Sequence, residues 1–260
     1  MAICKTQALT LRTFDFRETS LIANFYTRDF GKVSGLLKGI RTDPRKFAST
    51  LEPFSSNEII FYRKRNDTLH LVSQCDLSDN FIQLRGSIEK VTLASLMMEL
   101  VDALVPVEDA NTDIFDLAMN CLKAMCNTFD VDKIATIFKI KILALSGFKP
   151  HFDSCISCGG KVLGEAKFSI SLGGLICAGC FKKDLKARQI FRGTTATILH
   201  IERNDIPNNM RLGINPQINR ELSGILRAFF DFHIEKRLKS QAVWDNLKDA
   251  DKLIKSGAAE

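Results

Sequence analysis

The chain has no run approaching the ~18 consecutive apolar residues that a helix needs to cross a bilayer. Its first residues, MAICKTQALTLRTFDFRE, meet charge too often to contain the apolar core of a secretory signal. The expectation is therefore a cytosolic protein. No tract is compositionally biased and no internal repeat is present, which excludes low-complexity and solenoid architectures. There is no Gly-x-x-x-x-Gly-Lys-Ser/Thr phosphate cradle, no dinucleotide glycine signature and no Gly-x-Ser-x-Gly elbow. Histidine is scarce, at four residues, and none sits near a paired carboxylate pattern of known spacing. Nothing in the chain supports an enzyme, and binding is what remains.

What is present begins with length. The 260 residues, 45% hydrophobic and 25% charged, can bury a sizeable core and suffice for two modules. The net charge of +6 is uneven. Residues 1–83 carry 12 basic and 9 acidic side chains, residues 84–150 carry 7 and 9, and residues 151–260 carry 17 and 12. An acidic middle between two basic ends points to the ends as the parts that face a polyanion.

Eight cysteines in a reducing compartment favour metal or free thiols over disulfides. Cys4, Cys75, Cys121 and Cys126 have no partner at short spacing and read as small buried hydrophobes. The other four form two matched pairs in the stretch CISCGGKVLGEAKFSISLGGLICAGC. Cys155, Cys158, Cys177 and Cys180 follow a Cys-x2-Cys-x18-Cys-x2-Cys pattern, the spacing of a tetrahedral structural zinc site. Lys167–Ser171 and Leu175–Cys177 can pair as strands around Leu172-Gly173-Gly174, which describes a zinc ribbon. A catalytic zinc keeps an open position, whereas four cysteines close the shell. His200-Ile201-Glu202 and His233-Ile234-Glu235 spell the His-x-Glu of zinc deaminases, but both follow the cysteines and no proline precedes either pair. A redox dithiol leaves the second pair unexplained. The expectation is one structural zinc per chain.

The first 80 residues predict short strands at Ala8–Phe14, Ser20–Tyr26, Lys32–Lys38, Glu58–Tyr62 and Leu69–Cys75, with turns at Asp29-Phe30-Gly31 and Asn66-Asp67. Five short strands suit a small closed barrel, of which the OB-fold is the commonest Greek-key form. From about Gln83 the period becomes helical. Ile88, Val91, Ser95, Met98 and Val105 space as one face, followed by helices over Thr112–Asn127 and Asp132–Ser146. Leu185–Arg203 reads as partly helical. Pro216–Leu238 is the clearest helix, with Asn215 as cap and a stripe of Leu222, Ile225, Leu226, Phe229 and Phe230. Residues after Leu247 are polar and predict a frayed end. The fold class is α+β: an N-terminal OB-fold β-barrel, then an all-helical domain with an inserted zinc ribbon. The partition is a barrel at 1–82, a first helical part at 83–150, the ribbon at 151–182 and a second helical part at 183–260, the two helical parts forming one domain.

Charge also marks candidate DNA contacts. Arg28, Lys32, Lys38, Arg41, Arg45 and Lys46 crowd one segment against Asp29 and Asp43, and Arg63, Lys64 and Arg65 form a second cluster. In a barrel these can converge on a groove that tracks a phosphate backbone, or simply form a solvated basic loop. Phe14, Phe16, Phe25 and Tyr26 are candidates to stack on bases, although most must fill so small a core. A third basic run, Lys182, Lys183, Lys186, Arg188 and Arg192, follows the cysteines.

The barrel ending in Lys38-Gly39-Ile40-Arg41, with Leu51-Glu52-Pro53-Phe54 downstream, then helices, the Cys155–Cys180 ribbon and further helices, resembles the RecO family of bacterial recombination mediators over nearly the whole chain. Members often follow Lys-Gly-x-Arg with more basic and serine residues, whereas here Thr42-Asp43-Pro44 intervenes. The resemblance implies a non-enzymatic protein of DNA repair and homologous recombination. It would bind single- and double-stranded DNA, anneal complementary strands and, with RecR, help load RecA onto DNA coated by the single-stranded-DNA-binding protein. It also implies Lys38 and Arg41 as DNA contacts, the four cysteines as zinc ligands, and a docking place on the helical part for the acidic C-terminal tail of the single-stranded-DNA-binding protein. Some members lack the cysteines, so zinc is not required for the family's activity. The competing readings are a zinc-ribbon RNA-binding or transcription-associated protein and a metal-dependent nucleic-acid enzyme.

Overall fold

The computed structural model describes residues 2–43, 47, 49, 51–63, 68–234 and 236–257, with side chains to residue 250. Five strands, β1 (Ala2–Phe16), β2 (Ser20–Thr27), β3 (Gly31–Leu37), β4 (Ser56–Arg63) and β5 (Leu69–Asp79), close into a barrel in the order β1-β2-β3-β5-β4. All neighbours are antiparallel except β3 and β5, which run parallel from Ser34↔Leu69 to Leu36↔Leu71. This is the OB-like arrangement. The period of two that closes it is plain in β3, where Val33 and Leu37 point inward and Lys32, Ser34 and Leu36 outward. Phe25, Ile59, Phe61 and Val72 complete the interior, each contributing about 1.5–3 kcal/mol by leaving water. A register shift between Thr10 and Arg12 turns Arg12 to the outer face.

The connection from β3 to β4 is pinned to β1 by polar groups. Thr10 N–H donates to the Ser55 carbonyl (2.9 Å) and Phe54 N–H to the Thr10 carbonyl (2.7 Å). The buried Asn57 amide donates to Thr10 Oγ1 at 3.0 Å. Leaving such buried groups unmatched would cost ~1–3 kcal/mol apiece, so this register is well specified.

The chain packs as two compact units: residues 1–131 with 238–260, and residues 132–237. These units group the elements differently from the sequence partition. The first holds the barrel, α1 (Ile82–Arg85), α2 (Ile88–Leu104), α3 (Thr112–Cys126) and the terminal α8 (Lys239–Gly257). Ser87 caps α2 by accepting from Lys90 N–H, and Asn111 caps α3 by accepting from Ile114 N–H. The apolar face of α2 departs from the expected stripe. Ile88 is exposed, while Leu93, Ala94, Leu96, Met97, Leu100, Val101 and Leu104 are buried, so the helix is covered on more than one side. A helix buried all round carries no single period to read. The chain after Leu247 continues in α8 rather than fraying. That helix starts where Ser240 N–H donates to Glu99 Oε2 (3.1 Å), and Trp244 is buried.

The second unit contains α4 (Val131–Leu145), which the boundary enters after Val131, then a three-stranded sheet, α5 (Arg192–Arg203), α6 (Ile206–Arg211) and α7 (Pro216–His233). Its strands are β6 (Ala166–Ser169), β7 (Gly174–Cys177) and β8 (Arg188–Ile190), in the order β7-β6-β8. The capped α7 buries the expected stripe of Leu222, Ile225, Leu226, Phe229 and Phe230. Phe168 of β6 joins sheet to helix, with its ring 5.2 Å from Phe152 and 6.0 Å from Phe229. Between these landmarks, β8 lies where the sequence predicted partial helix, and α6 lies in a stretch to which it assigned no element.

Candidate nucleic-acid interface and metal centre

The barrel registers divide the proposed DNA contacts between two ends. Leu21↔Leu37 lies near the β1–β2 hairpin tip, and Thr27↔Gly31 lies at the opposite, β2–β3 end. Lys38 and Arg41 leave the first of these ends, both exposed, and Arg41 N–H donates to the Thr19 carbonyl (3.1 Å). The Arg41 guanidinium stands 3.4 Å from Asp15. Arg28 and Arg63 belong to the other end. Arg45, Lys46, Lys64 and Arg65 lie outside the described residues.

Three of the proposed cations meet carboxylates of α2, of α3 or of the segment between them. Arg28 pairs with Asp116 of α3 at 2.8 Å, and Arg63 with Glu108 at 2.8 Å. Lys32 donates to the Asp102 carbonyl of α2 at 2.8 Å, with the Asp102 carboxylate 3.8 Å away. Arg12, which charge counting did not single out, holds the same carboxylate at 2.5 Å. Tyr26, fully buried, donates its hydroxyl to the Asn111 carbonyl at 3.0 Å; burial, with a smaller contribution from the nearby Asp109, raises its pKa to about 12. Gly31, in the left-handed region at φ +64°, lies so close to the segment before α3 that a Cβ there would stand 2.4 Å from the Asp109 carbonyl oxygen. The β2–β3 end is thus a docking surface for α2 and α3. Of the aromatic candidates, Phe25 and Tyr26 are in the core, while Phe14 is 48% exposed.

Leu51-Glu52-Pro53-Phe54 turns out to be a clasp. Glu52 pairs with Arg85 of α1 at 3.0 Å, Arg85 lies 4.6 Å over the Phe54 ring, and both Leu51 and Phe54 adopt positive φ. Arg85 lay beyond the barrel in sequence, and no local signal ties it to this motif.

The four cysteines converge. Their sulfurs all lie within 4.8 Å of one another. The first pair turns tightly, with Cys155 N–H donating to the Gly160 carbonyl (2.9 Å) and Gly159 N–H to the Cys155 carbonyl (2.8 Å). The second pair leaves β7 into a 3-10 turn, Ala178–Lys183. Four sulfurs about 2.3 Å from one tetrahedral ion stand about 3.8 Å apart, and Cys158 and Cys177 are separated by 3.8 Å. Burial would raise the Cys155 thiol, but hydrogen bonds from the N–H groups of Cys177, Cys158 and Ser157 and from the Cys158 thiol outweigh it and lower the pKa to about 6. Cys180 accepts from Ser157, yet burial and hydrogen bonding with the other three thiols raise it to about 11. A divalent ion at the centre would displace the thiol protons. The donor set and its spacing are compatible with one bound metal. Of the remaining cysteines, Cys4, Cys75 and Cys121 are buried as expected while Cys126 is only partly so, and burial, against a hydrogen bond from Ser49, lifts Cys75 to about 12.

Two family models cover nearly the whole chain: Recombination protein O N terminal over residues 1–81, and Recombination protein O C terminal over residues 85–242. The chain belongs to the RecO family. It is 30% identical to the DNA repair protein RecO of Pelotomaculum thermopropionicum over 260 residues, the full length of both chains. It is 29% identical to that of Syntrophus aciditrophicus, covering 94% of this chain and 96% of the relative. It is 31% identical to that of Dehalococcoides mccartyi, covering 95% and 96%. The family is one of DNA repair proteins, and its relatives carry names of repair rather than of a catalysed reaction. Among the described residues of this RecO chain, no helix is long and apolar enough to cross a membrane.

Proposed function

We propose that this RecO-family chain is a recombination mediator that binds single- and double-stranded DNA, anneals complementary strands and, together with RecR, helps load RecA onto DNA coated with single-stranded-DNA-binding protein. The observation that carries the reading is a five-stranded OB-like barrel whose Lys38–Arg41 turn lies at the end opposite the docked one, with both side chains exposed. Such a barrel binds nucleic acid by combining cations that follow the backbone with groups on which bases can lie. Lys38 and Arg41 are the principal proposed contacts. Arg45, Lys46, Lys64 and Arg65 extend them in sequence, and Arg28, Lys32 and Arg63 contribute only so far as phosphate competes with Asp116, Asp102 and Glu108. The metal is zinc, held by Cys155, Cys158, Cys177 and Cys180 as a closed tetrahedral shell that stabilises the ribbon and takes no part in a reaction. The acidic tail of the single-stranded-DNA-binding protein would dock on the helices, and the protein would work in the cytoplasm at the nucleoid.

The deciding experiment is strand annealing by the purified protein, with and without single-stranded-DNA-binding protein on the strands. Acceleration of annealing that persists on coated strands supports mediation. Preference for RNA over single-stranded DNA would favour the RNA-binding alternative, and metal-dependent turnover of a nucleic acid would favour an enzyme.

A further inference from the structure

From Cys155 to Arg192 the chain has seven basic residues, Lys161, Lys167, Lys182, Lys183, Lys186, Arg188 and Arg192, against Glu165 and Asp184 alone. The two acids leave a surplus of five positive charges. Asp184 turns toward the sheet, where it accepts from Ser169 Oγ (2.6 Å), Ser171 Oγ (3.0 Å) and Lys186 N–H (2.8 Å), and these bonds, with Ser169 first, lower its pKa. Lys167 lies 4.7 Å over the Phe181 ring. Lys182, Lys183, Arg188 and Arg192 are exposed, and among the described residues no carboxylate is within ion-pair distance of any of them. They sit on successive elements of the chain. Lys182 and Lys183 end the 3-10 turn that contains the last cysteine, Arg188 opens β8 opposite Phe168, and Arg192 opens α5. Between them, Leu185 is 86% exposed and Phe191 is 50% exposed.

Two structural roles account for only part of this charge. A divalent ion held by four thiolates carries two negative charges, but subtracting them still leaves the stretch with a net of three positive charges. Cations also guard open sheet edges, and β8 is such an edge. It has three residues, however, and Lys182, Lys183 and Arg192 are not on it. Exposed cations without partners, interleaved with an exposed ring, are the composition of a surface that follows a phosphate backbone and stacks a base.

We infer that the ribbon carries a second DNA-backbone surface, formed by Lys182, Lys183, Arg188 and Arg192 with Phe191 as a stacking ring. The inference rests on the DNA-binding reading above and adds a site in the other compact unit. A chain with two such surfaces can hold two strands at once, as annealing requires. An acidic peptide is the competing occupant; the flanking Phe191 ring and the exposure of all four cations favour an extended, stackable strand.

The test uses the full-length protein, a fluorescein-labelled oligo(dT) probe and anisotropy titrations across salt concentrations. The variant K182A/K183A/R188A should flatten the slope of log affinity against log salt by about 2, at about 0.7 per phosphate contact on single strands. It should slow annealing more than it weakens binding of one strand. The charge-keeping variant K182R/K183R/R188K should behave as wild type. Metal content and thermal unfolding verify the fold, and if the triple variant loses metal, K182Q/K183Q replaces it with an expected flattening of about 1.4. An unchanged slope and annealing rate would overturn the inference, as would retained DNA affinity with lost binding of an acidic peptide. If wild type itself does not bind oligo(dT), it is the function proposed for the chain that fails.

Discussion

The barrel and the ribbon are both basic in sequence, yet the fold treats their charges in opposite ways. On the barrel, Arg12, Arg28, Lys32, Arg41 and Arg63 each meet a carboxylate, and four of the five do so on or beside the helices. The acidic stretch that separates the two basic ends supplies Asp102, Glu108 and Asp116 for that purpose. On the ribbon, Lys182, Lys183, Arg188 and Arg192 have no such partner among the described residues. A positive count along the chain therefore measures binding capacity only after the cations that hold the protein to itself have been set aside. The barrel uses part of its charge for docking, and the ribbon leaves its charge to solvent.

The largest expected effect breaks the comparison from the ribbon side. Structural zinc sites contribute ~10–16 kcal/mol in isolated peptides, far more than three strands of three or four residues can supply by pairing. Removing the metal with a chelator, or substituting Cys155→Ser, should unfold the ribbon and open residues 151–192 to protease. The barrel should keep its protection. About one zinc per chain is expected by elemental analysis, and a site of three cysteines completed by water or histidine would contradict the closed shell.

Much of this contrast was legible in the sequence, and the part that was not is instructive. The barrel strands were readable from turn signals between short β-prone runs, with strict alternation in Gly31–Leu37, and the metal centre was readable because its ligands fall into two local turns. The stripe of α7 was readable because only one face is buried. By contrast, α2 is covered on more than one side and shows no single period, and α8 is polar enough that only its packing on α2 accounts for it. The pairings of Arg28, Lys32 and Arg63 were invisible for another reason: each partner lies 45 to 88 residues away. Such a pairing is a property of the packed unit, which no local pattern records. Gly31 could have signalled it, since a second backbone approaches there, but glycine is the ordinary residue of a tight turn whether or not anything lies against it.

A smaller effect breaks the comparison from the barrel side. Asp102 receives both Arg12 and Lys32 and is 16% exposed. Replacing it with Ala removes a charged hydrogen-bond acceptor, worth about 1.5–3 kcal/mol, and leaves two cations facing each other. Denaturant unfolding should report a loss of that size. Gly31→Ala should act on the same joint, through both the left-handed backbone and the approach of Asp109. If neither change destabilises the protein, the helices are not fastened to the barrel in this way.

The proposed contacts on the open end give an effect in binding rather than stability. Lys38→Ala with Arg41→Ala should flatten the salt dependence of oligo(dT) binding by up to about 1.4, at about 0.7 per contact. The contact at Arg41 should be less than a full one, because Asp15 at 3.4 Å already offsets part of its charge. Folding should hardly change, since exposed charges contribute about 0–1 kcal/mol. A wild-type slope in this variant would place the single-strand contacts on the ribbon.

The smallest expected effect sharpens the comparison by making the barrel more like the ribbon. Asp116→Asn and Glu108→Gln remove the carboxylates that face Arg28 and Arg63 while keeping the shape of each side chain. Both pairs are roughly half exposed to solvent, so each contributes only about 0.2–1 kcal/mol to stability, and the fold should survive their loss. The freed guanidinium groups should then be available to phosphate. If DNA passes near the β2–β3 end, each substitution should steepen the salt slope of single-strand binding by up to about 0.7 and tighten binding at low salt. If DNA is confined to the Lys38–Arg41 end and the ribbon, the slope should stay at the wild-type value while affinity rises slightly through the longer-range field, an increase that vanishes once the Debye length shortens to ~8 Å near physiological salt. The two outcomes differ in salt slope and not only in affinity, so anisotropy titrations of these two variants decide whether docking and DNA binding compete for the same cations.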